Sequence, residues 1–218
     1  MGLTVGFDLD MTLIDPRPGM IELLRALGAA SGLELDGEYF AAHLGPPLEQ
    51  GLAACGAPAD RIGELVDLYR VLYPGVVVPQ TIALPGAAAA LRIVREGGGR
   101  TVVVTGKYGP NAEMHVKALG FEVDVIVGEL WATGKAQTLV DHQAVAYVGD
   151  HVGDVQGALA ARAVSVGVET GPCSRAELLE AGAAVVFDSL DEFPTWFAAT
   201  SVELRERARS GPEPAPAG

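Results

Sequence analysis

Short apolar segments alternate with amphipathic helical stripes along most of the chain after position 85. The alternation predicts strands at 101–105, 123–127, 144–148, 164–168 and 184–187, and helices at 86–96, 110–119, 135–142, 153–162, 174–181 and 190–199. An earlier apolar segment, 3–7, is also of strand type. Strands that alternate with helices favour an α/β fold with a doubly wound, mainly parallel sheet.

Residues 17–82 interrupt this pattern, because helical stripes follow one another there without a strand between them. One stripe ends near Gly32, and another is predicted to stop at Pro74-Gly75, before a connector over 76–84. An insertion after the first strand lies over the ligand-binding edge of a parallel sheet. We therefore predict an all-helical lid with hinges at 15–18 and 82–86.

The predicted organisation is an α/β core (1–16 and 83–200), a helical insertion (17–82) and a C-terminal tail (201–218). The distal part of the tail is rich in proline, glycine and alanine, which predicts disorder.

Composition narrows the cellular setting. Hydrophobic residues make up 49% of the 218 positions, yet no uninterrupted apolar run reaches the ~18 residues of a membrane span. The first residues carry no basic region, so no signal peptide is expected, and the two cysteines, Cys55 and Cys173, are expected to be reduced thiols. These features predict a cytoplasmic protein without a membrane partner.

The formal net charge of −13 argues against nucleic acid as a partner, because phosphate backbones require a basic surface. A small anionic substrate remains open, since local cations and a metal can outweigh the overall charge.

Two pairs of carboxylates follow predicted strands. Asp8 and Asp10 come after strand 3–7, and Asp150 and Asp154 come after strand 144–148 among glycines. Residues two apart in an extended chain face the same side, and neighbouring buried carboxylates need a compensating cation, for which Mg²⁺ is the simplest candidate. Alone, the first pair fits a turn cap equally well, and Asp154 fits an acid in the first turn of a helix.

Two other strand ends carry candidate phosphate ligands. Thr105-Gly106 offers a hydroxyl and an open backbone amide, although an ordinary turn would look the same. Lys135, one of three lysines, lies at a predicted helix start, where a cation opposes the helix dipole. This unfavourable placement favours a functional role.

Together these positions carry a resemblance. Asp8-x-Asp10-x-Thr12-Leu13, Thr105-Gly106, Lys135 and Gly149-Asp150-x-x-x-Asp154 stand in the order of the four motifs of the haloacid dehalogenase (HAD) superfamily. Over about residues 3–197 the chain resembles its phosphatases that carry a helical (C1-type) cap after the first motif. Segment 147–171 is similar to the phosphoglycolate-phosphatase-like branch. Met11 departs from the motif, in which glycine is commonest at this position.

The resemblance implies a Rossmann-like core and a Mg²⁺-dependent phosphatase acting on a small phosphorylated metabolite. Asp8 would attack phosphorus to form an aspartyl-phosphate, and Asp10 would protonate the leaving alcohol and later deprotonate water. The implied metal ligands are Asp8, the Asp10 carbonyl and Asp150, with Asp154 acting through water or by orienting Lys135. The implied phosphoryl ligands are Thr105, Gly106 and Lys135.

Substrate selectivity is expected to lie in the insertion and the loops that face it. The candidate residues are Arg17, His43, Lys107, Tyr108 and His151. Arg17 is equally interpretable as a solvated hinge charge, and His43 as a satisfied helix histidine.

Other activities remain open at this stage. A sugar-phosphate mutase would need the aspartyl-phosphate to persist until a second hydroxyl arrives. A phosphonate hydrolase would need a lysine in the insertion, and residues 16–84 contain none. A metal-free dehalogenase would not need Asp10, and a non-catalytic phospho-ligand-binding module would be favoured by a lost catalytic group. The sequence does not distinguish a monomer from a homodimer, nor one small substrate from another.

Overall fold

The computed structural model describes residues 3–210, which form eight strands. In chain order these are β1 (Thr4–Phe7), β2 (Ile14–Asp15), β3 (Ile82–Ala83), β4 (Arg100–Val104), β5 (Val125–Val127), β6 (Ala144–Gly149), β7 (Val164–Val168) and β8 (Val185–Phe187). Six of them form one sheet in the order β5-β4-β1-β6-β7-β8, and every pairing is parallel. The predicted α/β class is confirmed.

Ten α-helices accompany the strands in the described residues. They are α1 (Arg17–Ser31), α2 (Gly37–Ala42), α3 (Leu48–Ala54), α4 (Ile62–Val76), α5 (Ala87–Glu96), α6 (Gly109–Ala118), α7 (Ala136–Asp141), α8 (Val152–Ala160), α9 (Arg175–Glu180) and α10 (Phe193–Ser210). The capping box predicted at Ser174 and Glu177 begins α9.

Both faces of the large sheet are covered. Phe7 and Val103 contribute to a core that includes residues of α5, α6 and α10. Val104 and Tyr147 contribute to a second core with residues of α7 and α8. Because both faces are buried, strand β6 is buried along its whole length and its sequence is a continuous apolar run. This arrangement is the predicted doubly wound sheet.

Residues 17–80, hereafter the helical unit, have a core of their own. Most of its buried side chains come from α1, α2, α3 and α4. Gly32 ends α1 in the left-handed conformation (φ 70°), as predicted. The predicted stop at Pro74-Gly75 is slightly early, because α4 includes both residues and ends at Val76. Proline removes only one hydrogen bond this close to a helix end, and the buried Tyr73 and Val77 hold the last turn in place.

The two connections to the helical unit run side by side. Strands β2 and β3 pair antiparallel, with Ile14 opposite Ala83 and Asp15 opposite Ile82. The predicted connector over 76–84 therefore contains a 3₁₀ turn (Val78–Gln80) and a strand. Two-residue strands are too short to leave a periodic pattern in the sequence.

The C-terminal helix is longer than the predicted 190–199. After a 3₁₀ turn (Leu190–Glu192), α10 continues to Ser210 through the first half of the predicted tail. Leu204 is 2% exposed and joins the core of the large sheet, so tertiary packing extends a helix that composition alone did not indicate. The part of the tail predicted to be disordered, 211–218, lies outside the described residues.

Candidate active site

The carboxylates of Asp8 and Asp10 follow β1 at the centre of the large sheet, between β4 and β6. The Asp8 backbone N–H donates to the Val148 carbonyl at 2.8 Å, so the β1–β6 ladder extends to this residue. Met11 then adopts φ 57°, a left-handed conformation that glycine tolerates best. This conformation gives a physical reason for glycine being commonest at that position of the motif.

Lys135 lies at the centre of the site and is fully buried. Its Nζ is 2.9 Å from Asp8 Oδ1, 2.6 Å from Asp154 Oδ1 and 2.8 Å from the Tyr147 hydroxyl. Burial lowers the pKa of Lys135, but the Asp154 and Asp8 carboxylates outweigh burial and raise that pKa above its usual value. Lys135 ends a 3₁₀ turn (Ala132–Lys135) directly before α7, close to its predicted place at a helix start.

Asp150 and Asp154 lie at the end of β6, next to Asp8. Asp150 accepts a hydrogen bond from the Thr12 hydroxyl at 2.8 Å. Asp154 Oδ2 accepts from the His151 N–H at 3.1 Å and so caps α8, while its Oδ1 pairs with Lys135. Asp154 therefore both caps α8 and pairs with Lys135, so the two interpretations of this residue are compatible. A Cβ at Gly149 would lie 2.4 Å from Asp154, so only glycine allows this close approach.

The residues of this cluster fit a divalent cation. Oxygens of Asp8, Asp150 and Asp154 lie within 4.8 Å of one another, and all three residues are buried. Burial raises the pKa of Asp8, and burial with the neighbouring carboxylates raises the pKa of Asp150 well above its usual range. Lys135 compensates one negative charge of three, so a hard dication with oxygen ligands matches what remains. The Asp10 side chain is not in this cluster; its predicted metal contact was through the carbonyl.

Asp10 has a different partner. Its Oδ2 lies 2.9 Å from Lys107 Nζ, and its buried Oδ1 has no hydrogen-bond partner within residues 3–210. Burial raises the pKa of Asp10, whereas Lys107 lowers it. A carboxyl group with a raised pKa and one free oxygen suits a general acid and base.

A cavity of about 300 Å³ lies between this edge of the sheet and the helical unit. Asp10, Gly106 and Lys107 line it from the core, and Phe40 and Tyr73 line it from the helical unit. Asp10 thus meets apolar side chains of the helical unit in one space, whereas Asp8 and Lys135 lie outside the lining of this cavity.

Thr105 and Gly106 follow β4, the strand beside β1. Thr105 is buried, and its hydroxyl accepts a hydrogen bond from the Lys107 N–H at 3.2 Å. A Cβ at Gly106 would lie 2.9 Å from the Gly45 carbonyl oxygen of the helical unit. The position therefore needs glycine where the helical unit contacts the core.

The five selectivity candidates occupy different places. Lys107 and Tyr108 line the cavity. Arg17 lies outside the cavity lining, forms an ion pair with Asp15 at 2.6 Å, and is 47% exposed. His43 is exposed and stacks on Tyr39, with ring centroids 4.0 Å apart. His151 packs on Trp131 at 4.9 Å and caps α8 through its Nδ1.

Sequence reasoning missed several residues that line the cavity or support the lysines, namely Arg70, Tyr73, Asn111, Trp131 and Tyr147. Tyr73 lies one turn after Tyr69 on the apolar stripe of α4, so its spacing indicated only packing. Tyr147 lies inside an apolar strand, and a hydroxyl there is a signal that a polar partner must lie nearby.

A model of the family described as haloacid dehalogenase-like hydrolase matches residues 5–168 of the chain. A phosphoglycolate phosphatase from Caulobacter vibrioides is 31% identical over 113 residues, which cover 49% of this chain and 48% of that protein. A Dickeya dadantii protein named "Probable phosphatase IndB" is 26% identical over 205 residues, 85% of this chain and 89% of that protein. The match to the first relative thus spans about half of its length.

The fold is shared with solved structures. A haloacid dehalogenase-like hydrolase from Streptococcus pneumoniae superposes with a TM-score of 0.78 at 24% identity, over 90% of this chain and 98% of that one. Between residues 3 and 210, no helix is both long and apolar enough to cross a lipid bilayer.

Proposed function

The chain belongs to the haloacid dehalogenase-like hydrolase family, and on this premise we propose that it is a Mg²⁺-dependent phosphatase of small phosphomonoesters. The observation that carries the proposal is the buried Lys135, which links Asp8 to Asp154 beside a cluster of three carboxylates. Such a group can hold a phosphoryl group by charge and geometry, which is what phosphoryl transfer requires.

In the first step the Asp8 carboxylate attacks phosphorus. A bond forms between an Asp8 oxygen and phosphorus, and the ester P–O bond breaks. The leaving oxygen keeps the electron pair of that bond and receives a proton from Asp10. Lys135 favours the charged form of Asp8, which burial opposes. Mg²⁺, held by Asp8 and Asp150 with Asp154 behind, would supply the additional positive charge that keeps the carboxylates ionised.

In the second step Asp10, now ionised, takes a proton from water. The water oxygen bonds to phosphorus, the bond to Asp8 breaks, and inorganic phosphate leaves with the Asp8 carboxylate restored. Oδ1 of Asp10 has no hydrogen-bond partner in the described part of the chain, which leaves this carboxyl group one oxygen that can carry the proton. Thr105, Gly106 and Lys135 are the groups we assign to the phosphoryl oxygens.

We assign the role of a cap to the helical unit, with the β2–β3 ribbon as its hinge. The cavity that it closes contains the apolar side chains Phe40 and Leu48, which would exclude water from the aspartyl-phosphate. The volume of about 300 Å³ suits a small metabolite rather than a polymer. The proposal includes a cytoplasmic location and neither nucleic acid nor membrane as a partner.

The test is phosphate release from a panel of small phosphomonoesters, with Mg²⁺ and with a chelator. We expect metal-dependent release by the native protein and none by Asp8→Asn, which keeps the shape of the side chain but lacks the nucleophile. Asp67→Asn, a change at an exposed position of α4, is the matched control and should retain activity. Failure of the folded, metal-loaded native protein to release phosphate from every ester would refute the proposal.

A further inference from the structure

A buried chain of hydrogen bonds links Asp10 to the helical unit. Lys107 Nζ lies 2.9 Å from Asp10 Oδ2 and 2.6 Å from the Tyr73 hydroxyl, which in turn lies 2.7 Å from His115 Nε2. The Lys107 side chain is 4% exposed, and Tyr73 and His115 are fully buried. A buried lysine with two defined acceptors has little freedom to occupy another position.

The donors in this chain have a fixed direction. An ammonium group only donates, so the Tyr73 oxygen accepts from Lys107 and its own proton is available to His115 Nε2. Burial, with the positive charge of Lys107, lowers the pKa of His115 to about 3, which leaves its ring neutral and able to accept. Lys107 Nζ also lies 4.9 Å from the centroid of the Tyr73 ring. Tyr73 therefore contacts the ammonium group through both its hydroxyl and its ring.

The four residues linked by these hydrogen bonds come from different parts of the fold. Asp10 follows β1, Lys107 follows β4, and His115 lies in α6, all in the α/β core. Tyr73 alone comes from the helical unit, near the end of α4. The chain is therefore complete only while the helical unit lies against the core.

We propose that Tyr73 and Lys107 are positioning residues for Asp10. Tyr73 holds the ammonium group of Lys107, and Lys107 holds Asp10 Oδ2, which fixes the Asp10 carboxyl group at the wall of the cavity where the ester would bind. The acid is then correctly placed only when the helical unit is seated, which couples closure of the site to proton transfer. This inference rests on the proposed function, because it assumes that Asp10 is the general acid.

The chemistry of the leaving group makes this role measurable. An alkoxide is strongly basic and must be protonated as it leaves, whereas p-nitrophenolate leaves without that help. Benzyl phosphate and p-nitrophenyl phosphate have similar size and differ mainly in this requirement. The ratio of their kcat/KM values therefore reports the placement of the acid, and a loss of folded protein cancels in the ratio.

We expect Tyr73→Phe to lower this benzyl to p-nitrophenyl ratio about tenfold, since one hydrogen bond to a charged group is lost. Lys107→Met should lower the ratio about 100-fold, within the usual contribution of a general acid. Adding Tyr73→Phe to Lys107→Met should not lower the ratio further, because Tyr73 acts through Lys107.

The matched control is Tyr69→Phe. Its hydroxyl is also buried in α4 and donates to Met20 Sδ at 3.1 Å rather than to the lysine. The control should leave the ratio as it is in the native protein, and its effect on kcat/KM should add to that of Lys107→Met.

An unchanged ratio in Tyr73→Phe or in Lys107→Met would overturn the inference. So would a rise in KM that is equal for both esters and leaves kcat unchanged, because Lys107 would then be a substrate ligand instead of a positioning residue. Either result leaves the proposed function intact if Asp8→Asn still abolishes phosphate release by the native site.

Discussion

Replacing Lys135 by methionine tests the electrostatics of the site without requiring a substrate. The change keeps the approximate length of the side chain but removes the ammonium group, which in the native protein lies 2.9 Å from Asp8 and 2.6 Å from Asp154. Both carboxylates are then buried without that partner. Removing one partner of a buried ion pair typically costs about 3–5 kcal/mol. In a domain of this size each kcal/mol lowers Tm by about 2–4 °C, so we expect a fall of about 6–20 °C.

The assays are a thermal melt and urea unfolding at neutral pH in the presence of a chelator. Lys117→Met is the control, because Lys117 is an exposed residue of α6; it should change the free energy of unfolding by less than about 0.5 kcal/mol. The loss of unfolding free energy in Lys135→Met should be smaller at mildly acidic pH. Burial raises the pKa of Asp8, and a protonated carboxyl group no longer needs a cation beside it. A deficit at neutral pH equal to that of the control would refute this reading of the site.

Three further predictions concern the metal and the fold. Mg²⁺ should raise Tm more at about pH 7.5 than at about pH 5. The pKa values of Asp8 and Asp150 are raised in the folded state, so the folded state loses stability as pH rises above their unfolded-state pKa values, and a cation offsets this loss only where the carboxylates are ionised. An equal Tm shift at both pH values in a thermal melt would contradict this. Gly86→Ala should cost more than about 2 kcal/mol in urea unfolding, because φ is 79° and a Cβ would lie 2.1 Å from the Leu190 carbonyl carbon. Leu204→Ala should cost about 2–5 kcal/mol, while Val202→Ala, at a position 66% exposed, should cost little.

The sheet and its carboxylates followed from local pattern. Alternating strands and helices specify a parallel sheet, and the carboxyl ends of neighbouring parallel strands must meet. Asp8 and the pair Asp150 and Asp154 were therefore expected at one edge of the sheet, while their meeting in one site with Lys135 was implied by the family resemblance; the structure brings them together. Each is placed by the strand or turn that it follows, so its position depends little on distant packing.

The residues that contact Asp10 could not be predicted from the local sequence pattern. Lys107 and Tyr73 come from segments far apart in sequence, and which side chains meet is decided by how the helical unit packs on the core. The same limit explains why Arg17 and His43 were candidates although their side chains contact Asp15 and Tyr39 outside the cavity lining. Sequence spacing identifies a loop, but it does not give the direction of a side chain in that loop.

Short or tertiary-stabilised elements were also beyond the sequence pattern. The pairing of β2 with β3 involves two residues on each side. The extension of α10 depends on the burial of Leu204 against the sheet core. In both cases long-range contacts rather than local propensity decide the structure.

The most direct measurement is the trapping of a phosphoryl group on Asp8. The protein is mixed with an excess of a phosphomonoester that it hydrolyses and Mg²⁺, quenched in acid during turnover, and digested for mass spectrometry. We expect a peptide containing Asp8 that carries the mass of one phosphoryl group. This modification should be labile to base and absent from Asp8→Asn. Rapid turnover with no phosphorylated peptide at any quench time, or with the label on another residue, would contradict this expectation.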